Sequence, residues 1–304
     1  MNDHPAQTSE ERAGVIYAAA AYTLWGVMPI YWRFLEVPAV EIITHRVIWS
    51  AVFVGLIIIV RGHLPRVLEA IRTPRTLGTL AVTGTLITGN WLLYIYCVET
   101  DQLVEASLGY YLTPQVSFAL GLAFFGERIS RIRAACIGLA TIGLVVQIAA
   151  LGHVPWIAPA LAISFGLYGY LRKKAPVAAL DGLLVETALM FPFALGLVLW
   201  WASDHTGVFP SDRTLTNSML IGAGPVTAIP LALFAAGARR IRLTTLGFLQ
   251  YLAPSITLLM AVFGFGEAFS QIDLISFGCV WAALVIVALE SRFPIRAPAP
   301  STLK

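Results

Sequence analysis

The chain has 304 residues, of which 58% are hydrophobic and only 12% charged, with a formal net charge of +3. A soluble domain of this length carries about twice that charged share. The basic residues are scattered over short polar gaps rather than gathered on one face, which argues against nucleic-acid binding.

In chain order, residues 1–13 are polar and lack the basic start of a signal peptide, so the first apolar run reads as a retained span behind a short cytoplasmic tail. A spanning helix needs about 20 apolar residues. On that basis ten spans are predicted: 14–34, 38–60, 77–98, 103–125, 132–151, 154–171, 181–202, 217–237, 244–265 and 271–290. The gaps at 61–75 and 203–216 read as connectors, and the Pro- and Ala-rich tail 291–304 as disordered. Cys97, Cys136 and Cys279 fall in or beside apolar runs with no metal-ligand spacing, and read as small buried residues. No cofactor is expected.

The gaps alternate between basic and nearly uncharged. Of the 20 Lys and Arg residues, 17 fall on one side, Arg33 and Arg213 fall on the other, and Arg46 sits inside an apolar run. The positive-inside rule makes the crowded side cytoplasmic and puts both termini there. The fold class predicted is an all-α integral membrane protein of the bacterial cytoplasmic membrane.

A collinear series of weak matches divides the spans into two fives, 14–151 and 154–290. Tyr111–Pro114 reappears as Tyr251–Pro254, Gly126-Glu127 as Gly266-Glu267, and Leu24-Trp25-Gly26 as Leu167-Tyr168-Gly169. Five is odd, so the second copy enters from the opposite side. In such inverted repeats the substrate site lies between the copies near the midplane.

Ionisable residues inside lipid face a protein interior or a wet cavity. The second span carries Glu41, His45 and Arg46. Arg46 lies about 12 Å along the helix from Pro38, too deep to snorkel easily. Two readings stand for it: it holds an anionic substrate group, or it pairs with a carboxylate and hydroxyls to lock helices. Glu186, in the seventh span, reads as the possible counterpart of Glu41. Either acid would couple export to protons if it changes protonation between two facing states; otherwise each is a fixed, hydrogen-bonded acid. Asn90, Trp91 and Tyr94 line a cavity or glue helices, and Tyr111 and Tyr251 fall inside spans where aromatic rings suit flat organic molecules. Pro114 and Pro254 hold corresponding places and read as hinges. Glu127 and Glu267 read as helix-ending residues.

Leu-Trp-Gly in the first span, Glu-Ile-Ile-Thr-His-Arg at 41–46, Gly-Asn-Trp at 89–91 and the paired Gly-Glu motifs resemble the EamA family of the drug/metabolite transporter superfamily, and within it the RarD-type branch. The resemblance covers about residues 14–290. It implies ten helices in two inverted five-helix repeats and export of metabolites. Related four-helix exporters carry a proton-coupling Glu in their first helix. Here 14–34 has no acid, so that role does not carry over.

The function expected is therefore secondary export of a small organic metabolite or drug-like compound by alternating access. The partners expected are that small molecule, membrane lipid and protons, with the chain a monomer or homodimer. A ligand-binding sensor and a lipid flippase are the alternatives; an enzyme is not expected, since no catalytic motif is found.

Overall fold

The computed structural model describes residues 5–100, 102–153, 155–264 and 270–292, and all its regular elements are helical. In hydrocarbon every backbone polar group must find an internal partner, and an apolar run of this length does so only as a helix. The helices are α1 (Pro5–Arg33), α2 (Ala39–Val60), α3 (Leu64–Arg72), α4 (Pro74–Glu99), α5 (Leu103–Phe125), α6 (Arg131–Leu151), α7 (Ile157–Lys174), α8 (Ala179–Ser203), α9 (Thr214–Ala238), α10 (Leu243–Gln250), α11 (Leu252–Leu259) and α12 (Gln271–Arg292). Eight segments are long and apolar enough to cross a membrane, with α10, α11 and the turn after them counted as one. Two more helices, α5 with 23 residues and α7 with 18, pack among them. The protein is a multi-pass membrane protein.

Three boundaries differ from the sequence expectation. Helix α1 begins at Pro5, ahead of the apolar run, because its polar first turns simply continue the helix. The supposed connector 61–75 contains α3, which starts next to Pro65 and buries Val67 and Ala70. The apolar run 244–265 is not one helix. It breaks at Tyr251, and α11 runs into a π-helical turn at Met260–Gly264. Pro254 has no N–H for the carbonyl of Gln250. The chain turns there instead, with Tyr251 N–H donating to Phe248 O (3.3 Å) and Ser255 N–H to Tyr251 O (3.1 Å). Helix α5 passes Pro114 unbroken. Glu267 and the tail 293–304 lie outside the described residues.

Helices α1 and α2 both pack on α9, α2 and α4 pack on α8, α4 and α5 pack on α7, α10 packs on α5, α11 on α1, and α6 on α12. Close approach needs small residues in membrane bundles. At Gly224 of α9 a Cβ would stand 2.4 Å from the carbonyl carbon of Trp49 on α2, so only glycine fits. There Ser50 Oγ donates to Gly224 O (3.1 Å). The α6–α12 pair is held by Ser276 Oγ donating to Gly143 O (2.9 Å), Gln147 Nε2 to Asp273 Oδ1 (3.1 Å), and the Arg133–Glu290 ion pair (2.9 Å).

Helix α5 stops at Gly126, whose left-handed φ of 58° suits glycine alone. The next residue, Glu127, reaches the start of α10. Its carboxylate accepts from the N–H groups of Leu243 (2.7 Å) and Thr244 (2.9 Å) and from Thr244 Oγ1 (2.7 Å). Those amides are orphan donors of a helix N-terminus, and a carboxylate there also meets the favourable end of the helix dipole.

Candidate functional site

Arg46 projects from α2 and is half-buried. Its Nε donates to Thr227 Oγ1 on α9 at 2.9 Å. Its guanidinium carbon lies 4.5 Å from the ring centre of Trp91 on α4 and 5.2 Å from that of Trp32 on α1. Tyr94 and Tyr110, whose rings are 6.0 Å apart, stand in its electrostatic neighbourhood and are partly exposed. Among the described residues no carboxylate forms an ion pair with Arg46. Cation–π contacts contribute about 0.5–2 kcal/mol each. They replace part of the lost hydration and leave the planar donor fork free for an anion.

Glu186, on α8, lies in different surroundings. It is 2% exposed and sits 3.6 Å from Nε of Arg172, which is 1% exposed. Thr83 Oγ1 of α4 donates to Glu186 Oε1 at 2.6 Å, and Tyr168 of α7 stands beside the pair. Arg172 Nη2 also donates to Ala179 O at 2.8 Å. Glu186 Oε2, Arg172 Nε and Nη1, and Tyr168 Oη make no hydrogen bond among the described residues. A cavity of about 10 Å³ lies between Glu186 and Trp91, room for about one water.

Arg172 is one of the 17 basic residues on the crowded side of the charge count, next to Lys173 and Lys174. It is nonetheless buried, 1% exposed, where the last turn of α7 meets the start of α8 and its side chain reaches Ala179 O and Glu186. Thr83, Thr227, Trp32 and Arg172 carried no sequence signal of their own. Counted from the first residues of α2 and α8, which lie 140 apart, Glu41 stands level with Asp181 and Arg46 with Glu186.

Glu41 is committed elsewhere: its Oε2 accepts from Val208 N–H (2.9 Å) in the segment before α9. His45 Nδ1 accepts from Trp49 Nε1 (3.2 Å), so its neutral ring carries the proton on Nε2. The ring packs on Phe209, centroids 4.8 Å apart. Glu41 and His45 thus pin a loop, and neither touches Arg46. Asn90 Nδ2 donates to Leu161 O (3.0 Å) and Ser164 Oγ (2.9 Å), joining α4 to α7. Tyr111 and Tyr251 face each other, ring centroids 5.6 Å apart, on the α5–α10 side. Tyr111 donates to Ser276 O (3.1 Å) and Tyr251 Oη accepts from Gln115 (2.9 Å). Of the predicted site residues the structure brings Arg46, Trp91 and Tyr94 together, with Glu186 across the small cavity. No group of His, Cys, Asp and Glu suited to a metal occurs among the described residues.

The profile of the EamA-like transporter family matches residues 12–148. The protein RarD of Escherichia coli is 40% identical over 288 residues, covering 94% of this chain and 97% of the relative. An uncharacterized transporter of Vibrio cholerae is 41% identical over 282 residues, 92% of this chain and 93% of the relative. A solved crystal structure, 18% identical, superposes with a TM-score of 0.71 over 94% of this chain and 99% of that one, which shows that the fold is shared. With its apolar helices and a relationship that extends over nearly all of its length, the chain belongs to the EamA-like transporter family, on its RarD-type branch.

Proposed function

We propose that the protein is a secondary transporter of the bacterial cytoplasmic membrane that exports a small organic compound bearing a carboxylate or similar anionic group. One observation carries this reading: Arg46 lies deep in its helix with a free donor fork, aromatic rings on two sides and no carboxylate partner among the described residues. A helix-locking arginine would be expected to have such a partner. A guanidinium flanked by Trp32 and Trp91 suits a flat or zwitterionic molecule whose anionic end meets the arginine.

The proposed architecture is ten transmembrane helices in two inverted repeats of five, α1, α2, α4, α5, α6 and α7, α8, α9, α10–α11, α12, with both termini cytoplasmic. The packing supports it, because the helix pairs come in swapped partners. α1 on α9 answers α7 on α4, α2 on α9 answers α8 on α4, and α5 on α7 answers α11 on α1. Alternating access is then rocking of one repeat against the other, hinged near Pro114 and Pro254. The break at Tyr251 supports a hinge on the second side.

Glu186 is the proposed coupling acid. Protonation removes its attraction to Arg172 and loosens the α7–α8 contact; deprotonation restores it. With no phosphate-binding loop in the sequence, uphill export draws on a gradient.

The test is counterflow in proteoliposomes loaded with a mixture of amino acids, nucleosides and cationic drugs, under an imposed pH gradient. Gradient-driven loss of an anionic or zwitterionic class is expected. Retention of every compound by vesicles holding folded protein would overturn the proposal.

A further inference from the structure

The short helix α3 joins two apolar spans, Ala39–Val60 and Pro74–Cys97. Helix α2 closes on Gly62, whose left-handed φ is 65°, with Gly62 N–H donating to Ile59 O (3.0 Å) and His63 N–H to Ile58 O (2.9 Å). Helix α3 starts at Leu64, and only Thr73 separates its end from α4. With so little chain at either end, α3 cannot leave the membrane face and return. Its length, about 14 Å at 1.5 Å per residue, runs along that face.

Helix α3 presents three faces. Val67 and Ala70 are buried where it packs on α8 and α4. Leu64, Leu68 and Ile71, at i, i+4 and i+7, form a second apolar stripe beside the first, yet they are 46%, 42% and 42% exposed. Pro65, Arg66, Glu69 and Arg72 are exposed on the remaining arc. At the start of the helix, His63 Nδ1 lies 3.4 Å from Asp181 Oδ1 on α8. These contacts fix the rotation of α3 about its axis, so the stripe of Leu64, Leu68 and Ile71 cannot turn into the bundle.

We propose that α3 is a helix seated in the membrane surface that binds anionic phospholipid headgroups. The stripe lies between the ends of two spans, where hydrocarbon meets headgroups, and an apolar helix face at that level is covered by lipid. Charge selects the kind of lipid. Arg61, Arg66, Arg72 and Arg75 are all exposed, stand against one carboxylate in the same stretch, Glu69, and form no ion pair among the described residues. A basic cluster beside a span attracts anionic headgroups. A second copy of this chain on the same face would instead set these arginines against their own kind. At about 100° per residue, Arg72 follows Leu68 by about 40° and borders the stripe, whereas Arg66 lies on the water side. Arg61 and Arg75 flank α3 at the adjoining ends of α2 and α4. Arg61, Arg72 and Arg75 are thus the headgroup-binding residues.

The test places a spin label at Leu68→Cys or Glu69→Cys of the full-length chain, with Cys97, Cys136 and Cys279 changed to alanine, in bilayers of phosphatidylcholine and phosphatidylglycerol. The label at 68 is expected to be reached by oxygen and not by a water-soluble nickel chelate, and the label at 69 the reverse. A label at 68 reached by the chelate would put the stripe in water, and one reached by neither would put it against protein, a second copy included; either overturns the proposal. Native mass spectrometry of the full-length protein then compares phosphatidylglycerol with phosphatidylcholine of equal chain length. Wild type is expected to prefer phosphatidylglycerol. Arg61→Gln, Arg72→Gln and Arg75→Gln are each expected to lower that preference about fivefold, and Arg66→Gln by less than about twofold. No preference in wild type, a wild-type preference when all three are changed together, or an equal fall in Arg66→Gln would each overturn the proposal. Neither measurement requires transport, so the lipid seat stands or falls separately from the Arg46 site.

Discussion

Arg46 of α2 and Glu186 of α8 stand 140 residues apart at matching positions of their helices, and each reaches a threonine of another helix: Arg46 to Thr227 on α9 at 2.9 Å, Glu186 to Thr83 on α4 at 2.6 Å. Helix α2 packs on α9, and α8 packs on α4. The charges are opposite and so are their circumstances. Glu186 has a buried arginine beside it, whereas Arg46 has aromatic rings and an open fork. One position has its counter-ion built in; the other has no carboxylate ion-paired with it among the described residues.

Arg46→Ala is therefore expected to lower transport of the anionic substrate by about 30-fold or more, the loss of about 2 kcal/mol or more from a desolvated charge pair. Arg46→Lys keeps the charge and loses the fork, and should fall between wild type and alanine. Initial rates in proteoliposomes at several substrate concentrations decide the matter. Wild-type rates in Arg46→Ala would remove Arg46 from the substrate path.

Arg172 and Glu186 should behave asymmetrically. Arg172→Ala leaves a carboxylate in a site almost closed to solvent and is expected to cost about 3–5 kcal/mol of stability unless that carboxylate takes up a proton. Glu186→Gln keeps the Thr83 hydrogen bond, and Arg172→Met with Glu186→Gln should recover most of the loss, because the pair contributes little beyond offsetting its own desolvation. Thermal unfolding in detergent reads this. For transport, Glu186→Gln is expected to abolish pH-gradient-driven accumulation while substrate exchange persists. Accumulation with the wild-type pH response would exclude Glu186 as the coupling acid.

The long apolar runs made most of the helices legible, because 20 apolar residues leave the backbone few choices. Helix α3 was hidden by its charge, since Arg66, Glu69 and Arg72 mask the small face that Val67 and Ala70 bury. The break at Tyr251 was visible only as Pro254; whether a proline breaks a membrane helix depends on what donates to the freed carbonyl, and α5 tolerates Pro114. At the site, Arg46 and Glu186 stood out as charges in apolar runs. Thr83 and Thr227 did not, because a hydroxyl within a helix usually returns to its own backbone. Arg172 was concealed by two neighbouring lysines that made it look like loop charge.

Asn90 separates a structural residue from a site residue. Its amide is spent on Leu161 O and Ser164 Oγ of α7, so Asn90→Leu is expected to destabilise the protein by about 0.6–1.7 kcal/mol, the range for hydrogen bonds between membrane helices. Substrate concentration dependence should stay at the wild-type value. Weaker apparent affinity with unchanged thermal stability would assign Asn90 to the cavity instead.

Gly224 tests how closely the Arg46 helix must approach α9. A methyl group there would meet the backbone of Trp49 at 2.4 and 2.5 Å, and backbone cannot swing aside as a side chain does. Gly224→Ala must push α2 and α9 apart, at a cost of about 1–3 kcal/mol for overpacking. The same displacement lengthens two contacts on that interface, Ser50 Oγ to Gly224 O and Arg46 Nε to Thr227 Oγ1. The variant should therefore lose both stability and transport, and the transport defect should resemble that of Thr227→Val, which removes only the hydroxyl. Thr227→Val with wild-type kinetics would mean that Arg46 is positioned by Trp32 and Trp91 alone, and that the damage in Gly224→Ala comes from the helix interface and not from the site.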